Sequence, residues 1–158
     1  MEKEAVQRLT ERMQRLCSKS EHCSKDIYTK LLRAAEGDSS LADEILEDLK
    51  KDRFVDDARY AAAFAREKSS LTGWGPLKIR QALALKGIKG ETAAAALSEI
   101  DPERSSGRLR KLLESKWKSL QGDPSARLKL IRYALSRGYE YDEVKSVAEE
   151  IFADGRAE

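Results

Sequence analysis

The sequence contains few aromatic residues, glycines and prolines, and almost no residues able to bind a metal. Among its 158 residues there are nine glycines and three prolines, and aromatic side chains make up 6%. Hydrophobic residues reach 41% and charged residues 37%, which excludes both a disordered tail and a membrane protein. No apolar run approaches the roughly 20 residues of a membrane span, and the charged N-terminus is unlike a secretory signal. We therefore expect a soluble cytoplasmic protein without a membrane partner.

The two cysteines and the single histidine lie close together, but they do not form a convincing metal site. Cys17, His22 and Cys23 are the only cysteine and histidine residues of the chain. A structural zinc site usually takes four such ligands, and a disulfide is disfavoured in a reducing cytoplasm. We predict that both cysteines are small packing residues on either side of a helix junction.

Catalytic motifs are also missing. There is no G-x-x-x-x-G-K-[ST] phosphate loop, and Gly73-Trp74-Gly75 lacks a dinucleotide-binding context. His22 has no nucleophile partner in the sequence, and adjacent carboxylates such as Asp56 and Asp57 are typical of a helix start. The sequence predicts a protein that is not an enzyme, with no cofactor, no metal and no catalytic residue.

The residues that are abundant, namely alanine, leucine, lysine, arginine and glutamate, favour helices. The spacing of Ser18 and Glu21 predicts a capping box, and Asp101-Pro102 and Asp123-Pro124 predict helix starts. Glycines that follow apolar stretches predict left-handed helix ends. No stretch has the alternation of a strand, so we predict no sheet. The nine predicted helices, with ends placed to within about two to four residues, are 4–17, 19–35, 40–52, 57–70, 76–86, 91–99, 102–120, 124–137 and 142–153.

These nine helices group into three similar units. A shift of 52 residues places Ile27 on Ile79 and Leu31 on Leu83, and a shift of 51 places Gly87 on Gly138. We predict an all-α fold of three tandem three-helix repeats, at residues 1–55, 56–100 and 101–158. Stacked sequential repeats favour an elongated, curved array, although one compact nine-helix domain would also fit the pattern.

The net charge of +2 is small, but the charges are segregated along the chain. Residues 104–137 hold ten basic residues against two acidic ones, a net charge of +8. Residues 138–158 carry −5 and residues 36–57 carry −6. A run with so few acids favours contact with phosphates or with an acidic partner, whereas pairing of opposite charges within or between repeats is the alternative.

A block in the middle of the chain, residues 52–88, resembles the signature of the RecX family. It reads DRFVDDARYAAAFAREKSSLTGWGPLKIRQALALKGI and matches an acidic D-D-x-R-[FY]-A start followed by F-x-R and G-x-G-P-x-K-I-R-x-x-L-x-x-K-G-[IV]. The opening LCSKSEHCSKDIYTKL is similar to the family's R-x-H-S-x-x-E-L-x-x-K-L, with departures at Ser20, Cys23 and Asp26. The ending LIRYALSRGYEYDEVKSV resembles L-x-R-[FY]-L-x-x-R-G-[FY], with Ala134 in place of a larger residue.

The resemblance implies three tandem three-helix repeats. It also implies a regulator that docks into the groove of the RecA filament on single-stranded DNA, with duplex DNA as a further candidate partner. We expect the protein to be a monomer. Such a protein would suppress ATP hydrolysis, strand exchange and the coprotease activity that cleaves the repressor.

Within this resemblance, specific residues receive expected roles. Tyr60, Phe64, Ile79, Leu83 and Ile88 should form the middle core, and residues 73–76 should form a tight bend. Trp74 either packs on that bend or stacks on a partner. The candidate contacts to DNA or RecA are Arg59, Arg66, Trp74, Lys78, Arg80, Lys86, Arg108, Lys111, Arg127, Lys129, Arg132 and Arg137.

Two other functional classes remain open from the residues alone. Three-helix units resemble helix-turn-helix domains, so the chain could be a stand-alone DNA-binding module with a sequence preference. It could also be an interaction scaffold whose partner is not RecA, and DNA would then have no effect on its binding.

Overall fold

The fold consists of α-helices joined by short turns. A computed structural model describes the backbone of residues 1–157 and the side chains of residues 1–154, and in that part of the chain there is no strand. The absence of a sheet agrees with the prediction from sequence. The nine helices within residues 1–157 are α1 (Lys3–Lys19), α2 (Ser24–Ala34), α3 (Ser39–Lys51), α4 (Asp57–Ser70), α5 (Pro76–Leu85), α6 (Gly90–Ser98), α7 (Pro102–Ser119), α8 (Ala126–Ser136) and α9 (Tyr141–Ala157).

The helices pack in three consecutive groups, each around its own apolar core. The extensive helix–helix contacts all join members of one group: α1–α3, α4–α6 or α7–α9. Ile27 and Leu31 lie in the first core, Ile79 and Leu83 in the second, and all four are fully buried. The predicted three-helix repeats are therefore confirmed, while their exact limits stay a prediction.

The arrangement of the three units is extended. The accessible surface of the chain is 10107 Å² for a mass of 17.8 kDa. A compact monomer of this mass exposes about 8,000 Å². The excess favours the elongated array over a single nine-helix domain, and the curvature of the array stays a prediction.

The middle core and its bend follow the prediction closely. Ile79, Leu83 and Ile88 are buried, and Tyr60 and Phe64 are partly buried against them. Residues 73–75 form the connection between α4 and α5, and α5 begins at Pro76. Proline suits this first helical position because its missing N–H would have no partner there.

The predicted capping box at Ser18 and Glu21 is wrong. α1 continues to Lys19, and α2 begins only at Ser24. The Ser18 hydroxyl lies inside α1 and donates to the Gln14 carbonyl at 2.7 Å. The N-terminus of α2 is instead capped from the second unit, since the Ser24 N–H and hydroxyl donate to the two carboxylate oxygens of Asp57 at 2.7 and 2.5 Å. A cap supplied 33 residues along the chain leaves no local sequence signal.

The start of α8 also differs from the prediction. Asp123-Pro124 forms a turn, in which the Ser125 N–H donates to the Asp123 carboxylate at 2.8 Å, and the helix begins at Ala126. The corresponding prediction for α7 is confirmed, because Asp101 accepts the Glu103 N–H at 3.0 Å and Pro102 is the first helical residue.

Candidate nucleic-acid and partner interface

The second helices of the three units, α2, α5 and α8, follow one another end to end. At the junction of α8 and α5, the Gly75 N–H donates to the Arg137 carbonyl at 2.7 Å and the Leu77 N–H donates to the Gly138 carbonyl at 2.9 Å. The N–H groups at the start of α5 therefore donate to carbonyls just after the end of α8. N–H groups at a helix start and carbonyls at a helix end have no partner within their own helix, so this junction satisfies both. This junction joins the second and third units through their backbones.

The junction of α5 and α2 is made by side chains. Lys25 Nζ donates to the Leu85 carbonyl, and Lys86 Nζ donates to the Asp26 carboxylate, both at 2.9 Å. Burial alone would raise the pKa of Asp26, but the hydrogen bond and charge of Lys86 outweigh it and leave that pKa below its usual value. The hydrogen bond to Asp26 raises the pKa of Lys86. Both groups are therefore held charged across this junction at neutral pH.

The surfaces of α5 and α8 expose leucine beside arginine. Leu77 and Arg80 are three residues apart on α5, and Leu128 and Arg132 are four apart on α8, so each pair shares one side of its helix. Leu85 and Leu135 add further exposed apolar surface to the same two helices. Apolar side chains beside arginine suit a protein-binding surface, because the cores of interfaces are apolar and arginine is enriched at them.

Two predicted contact residues, Arg59 and Lys86, hold the first and second units together. Arg59 Nε donates to Glu21 at 2.6 Å, and its Nη2 donates to the carbonyl of Arg53 at 3.0 Å. Lys86 is engaged by Asp26 as described above. Both side chains therefore have structural partners in the folded chain.

Two more, Arg108 and Arg137, lie at the junction of the second and third units. Arg108 Nη2 donates to the buried hydroxyl of Ser69 at 2.6 Å, and Arg137 Nη2 donates to the Thr72 carbonyl at 3.2 Å. The Tyr139 hydroxyl donates to the Gly73 carbonyl at 3.0 Å in the same region. Burial raises the pKa of Tyr139, so its hydroxyl remains a donor over the physiological range. These arginines therefore order the bend between α4 and α5.

Trp74 packs on that bend, which is the first of the two roles predicted for it. Its ring lies edge-on to Phe64 with the centroids 6.4 Å apart. The ammonium groups of Lys68 and Lys78 lie 5.0 and 4.6 Å from its centroid. Contacts of this kind stabilise a cation over a ring by about 0.5–1 kcal/mol at exposed sites. Lys78 is thus positioned by Trp74 near the N-terminus of α5.

Part of the basic run is neutralised within the third unit. Arg110 pairs with Glu150 of α9 and lies 3.9 Å from Glu114, and Lys129 pairs with Asp123 at 2.5 Å. Arg127 lies over the ring of Phe152, 4.8 Å from its centroid. In the second unit, Arg66 pairs with Glu99 at 3.1 Å. The alternative of pairing between opposite charges therefore holds for several residues of the run.

Four of the predicted contact residues are exposed and have no acidic partner within 4.0 Å among the side chains that the structure describes. They are Arg80, Lys111, Arg127 and Arg132, and of these Arg127 lies over the ring of Phe152. Arginine offers carboxylates and phosphates a planar, bidentate set of donors and lysine offers a compact ammonium group, and these sites remain available for such a ligand. Sequence reasoning did not separate these four residues from the junction arginines, because the junction partners lie far along the chain.

The cysteines take the packing roles predicted for them. Cys17 and Cys23 are both buried and unpaired with each other, and burial raises the pKa of each thiol. Within the described residues no three His, Cys, Asp or Glu side chains are grouped closely enough to hold a metal ion. Over the same residues, no helix has the length and apolar character needed to cross a membrane.

Comparison with known families gives two matches to the same group. Residues 56–97 match the second three-helix domain of RecX, and residues 107–147 match the third. Among curated proteins, the regulatory protein RecX of Neisseria meningitidis serogroup B is 31% identical over 142 residues, covering 89% of this chain and 88% of that protein. The regulatory protein RecX of Halalkalibacterium halodurans is 33% identical over 125 residues.

Relatives differ in length, and solved structures share the fold. The chain spans about half of the Halalkalibacterium halodurans protein, 46%, and 64% of the Clostridium tetani protein. A crystal structure of a regulatory protein RecX superposes with a TM-score of 0.83 at 23% identity, covering 92% of this chain and 72% of the other. The structure of RecX from Lactobacillus salivarius gives a TM-score of 0.82 at 20% identity, covering 95% and 98%.

Proposed function

The chain belongs to the RecX family, and from this premise we propose that it binds the RecA filament on single-stranded DNA and inhibits its ATPase, recombinase and coprotease activities. We propose that it acts as a monomer in the cytoplasm and has no catalytic activity of its own. The observation that carries the proposal is that α5 and α8, which follow one another end to end, each expose a leucine beside an arginine without an acidic partner; we call these two helix sides the face of α5 and α8.

This face offers groups that suit two kinds of partner, an apolar protein surface and an anion. Leu77 and Leu128 expose apolar surface, and burying that surface against another apolar surface is favourable. Arg80 and Arg132 offer donors for carboxylates of a protein or phosphates of DNA. A filament made of protein and single-stranded DNA presents both kinds of group along one groove.

The remaining candidates serve this face in different ways. Arg59, Lys86, Arg108 and Arg137 fix how the units follow one another, so they act on binding through the geometry of the array. Lys111 extends the basic surface onto α7, and Lys78 lies beside Trp74 at the start of α5. Arg66 and Lys129 would have to exchange their acidic partners to contact DNA, whereas Arg127 has the ring of Phe152 beside it and no acid to exchange.

The experiment that tests this proposal is a titration of the protein into RecA hydrolysing ATP on single-stranded DNA. We expect inhibition well below one copy per RecA, and inhibition that weakens as salt rises because phosphate contacts release counterions. The double variant Arg80→Glu with Arg132→Glu should lose most of the inhibition, since two exposed donors become repulsive to anions.

The matched control is Lys3→Glu with Arg104→Glu, which changes the net charge by the same amount. Both residues are exposed in the first turn of a helix, where an acidic side chain is favourable. Arg104→Glu also removes an ion pair with Asp101 at 3.8 Å, but exposed pairs of this kind contribute little, so the fold should tolerate both changes. Full inhibition by the Arg80/Arg132 variant, with an unchanged circular dichroism spectrum, would contradict the proposed face. Tight, sequence-selective DNA binding without any effect on RecA would instead favour the stand-alone DNA-binding module.

A further inference from the structure

A second surface lies apart from the face of α5 and α8, in the first unit. A groove of about 380 Å³ runs between α1 and α2. Its lining combines three apolar residues with three basic ones: Met13, Leu16, Ala34, Arg12, Lys30 and Arg33. None of these six residues belongs to the contact set predicted from sequence.

Basic side chains stand on both rims of this groove. Arg12 projects from α1, and Lys30 and Arg33 project from α2 one helical turn apart; all three are exposed. No acidic side chain lies within 4.0 Å of any of them in the described part of the chain. The rims therefore carry three cations whose charge is not compensated by the protein itself.

The cationic rim extends along α1 beyond the groove. Arg8, Arg15 and Lys19 recur with Arg12 at spacings of three and four residues, so the four side chains share one side of the helix. At 1.5 Å per residue, the ridge from Arg8 to Lys19 is about 16 Å long, or three helical turns. This length matches a short helical segment rather than a single ion.

The floor of the groove is apolar and adaptable. Met13 and Leu16 face it from α1 and Ala34 from α2, and Met13 belongs to the core of the first unit. A methionine side chain adjusts to differently shaped apolar partners because it is unbranched and polarisable. The floor is therefore suited to one or two apolar side chains inserted between the basic rims.

We propose that this groove binds an acidic amphipathic helical segment of a partner protein, with carboxylates on the basic rims and apolar side chains on the floor. Helix-in-groove recognition of this kind places anchors at positions i, i+3, i+4 and i+7. A nucleic-acid strand fits less well, because single strands gain affinity by stacking bases on aromatic side chains and no aromatic residue is among those that line the groove. The proposal stands independently of the RecA interaction.

The test uses a fluorescein-labelled synthetic peptide of about 11 residues, three helical turns, with glutamate on one side and leucine at i, i+4 and i+7. Fluorescence anisotropy should show saturable binding to the full-length protein. The double variant Lys30→Glu with Arg33→Glu should weaken this binding by at least about tenfold, because both charges at the rim of α2 are reversed.

Two controls separate the groove from general charge attraction. Arg127→Glu with Arg132→Glu makes the same charge change on α8 and should alter peptide binding by less than about twofold if the groove is the site. A second peptide, with serine at the three leucine positions, should bind weakly because it has nothing to bury on the floor. Equal binding of both peptides, or equal loss in both variants, would overturn the proposal.

The same assay distinguishes the other occupants. An oligodeoxythymidine strand that displaces the peptide and binds more tightly through Lys30 and Arg33 would make the groove a nucleic-acid site. Concentration-dependent self-association that the Lys30/Arg33 variant abolishes would make a second copy of this chain the occupant. Either result would show the proposed peptide partner to be wrong.

Discussion

At the scale of single residues, Gly75 and Gly138 determine how closely the second and third units approach. A Cβ atom added at Gly138 would lie 2.3 Å from the Cβ of Lys78, and one added at Gly75 would lie 2.4 Å from the Gly138 carbonyl oxygen. Both distances are far below van der Waals contact. The N–H groups of Gly75 and Leu77 can therefore reach the carbonyls of Arg137 and Gly138 only because neither glycine has a side chain.

Replacing Gly138 by alanine should destabilise the protein. The φ angle of Gly138 is +92°, which alanine rarely adopts, and the new methyl group would collide with the backbone of Lys78. Strain and overpacking together should lower the free energy of unfolding by about 1–3 kcal/mol, measured by urea denaturation.

Gly107 provides the matched control for this substitution. It lies within α7, and a Cβ there would meet nothing within 4 Å. Gly107→Ala should therefore stabilise the helix by about 0.5–1 kcal/mol, since glycine has the greater backbone entropy to lose. Equal effects of the two substitutions would contradict a steric requirement at Gly138.

At the scale of helices, α2 belongs to the first unit but depends on the second. Its N-terminal donors are satisfied by Asp57, the first residue of α4. Cys23, the residue before α2, is fully buried in the core of the second unit. Cys17, at the end of α1, is buried in the core of the first unit. The two thiols therefore report on different parts of the array.

Asp57→Ala should expose Cys23 to thiol reagents by loosening the junction of the first two units. Losing a helix cap costs about 1 kcal/mol, which corresponds to an opening population about five times larger. The thiol also needs this opening to ionise, because burial raises its pKa. We expect alkylation of Cys23 to accelerate about fivefold at constant pH, measured by mass spectrometry in a Cys17→Ser background.

Cys17 is the internal control for that measurement. In a Cys23→Ser background, Asp57→Ala should leave the alkylation rate of Cys17 nearly unchanged, because Asp57 bonds to Ser24 and not to a residue of the core in which Cys17 is buried. Equal acceleration of both thiols would indicate global destabilisation instead of a local opening at the junction.

At the scale of the whole molecule, three small cores in a row produce an extended shape. A unit of about 50 residues buries little apolar surface alone, so the units support one another through the two junctions. The exposed side of α5 and α8 and the groove of the first unit consequently lie on different parts of one long surface. Two separate surfaces on an extended chain allow it to contact two partners at once, which is what the two proposals require.

Small-angle X-ray scattering should detect this extension. A compact chain of 158 residues has a radius of gyration of about 15 Å, and we expect a clearly larger value. Light scattering on the same sample should give a mass near 17.8 kDa, which excludes a dimer as the cause. A radius near 15 Å at that mass would contradict the elongated array.

Most of the fold could be predicted from the sequence because its signals are local. Apolar residues at helical spacing, prolines at helix starts and glycines after helix ends act within a few residues of one another. They identified all nine helices of the described chain and the repeat that relates Ile27 to Ile79. The two errors, at Ser18 and at Asp123, arose because a sequence that resembled a helix cap was not followed at once by the start of a helix.

The sequence by itself therefore determined the helices, their grouping in threes and the family. Only the tertiary structure decided which basic residues remain available for a partner, because charge pairing depends on spatial neighbours. Arg59 and Arg108 look like Arg80 in the sequence, but their partners Glu21 and Ser69 lie 38 and 39 residues away. The groove between α1 and α2 likewise requires two helices to come together, since neither periodicity nor net charge encodes the space between them.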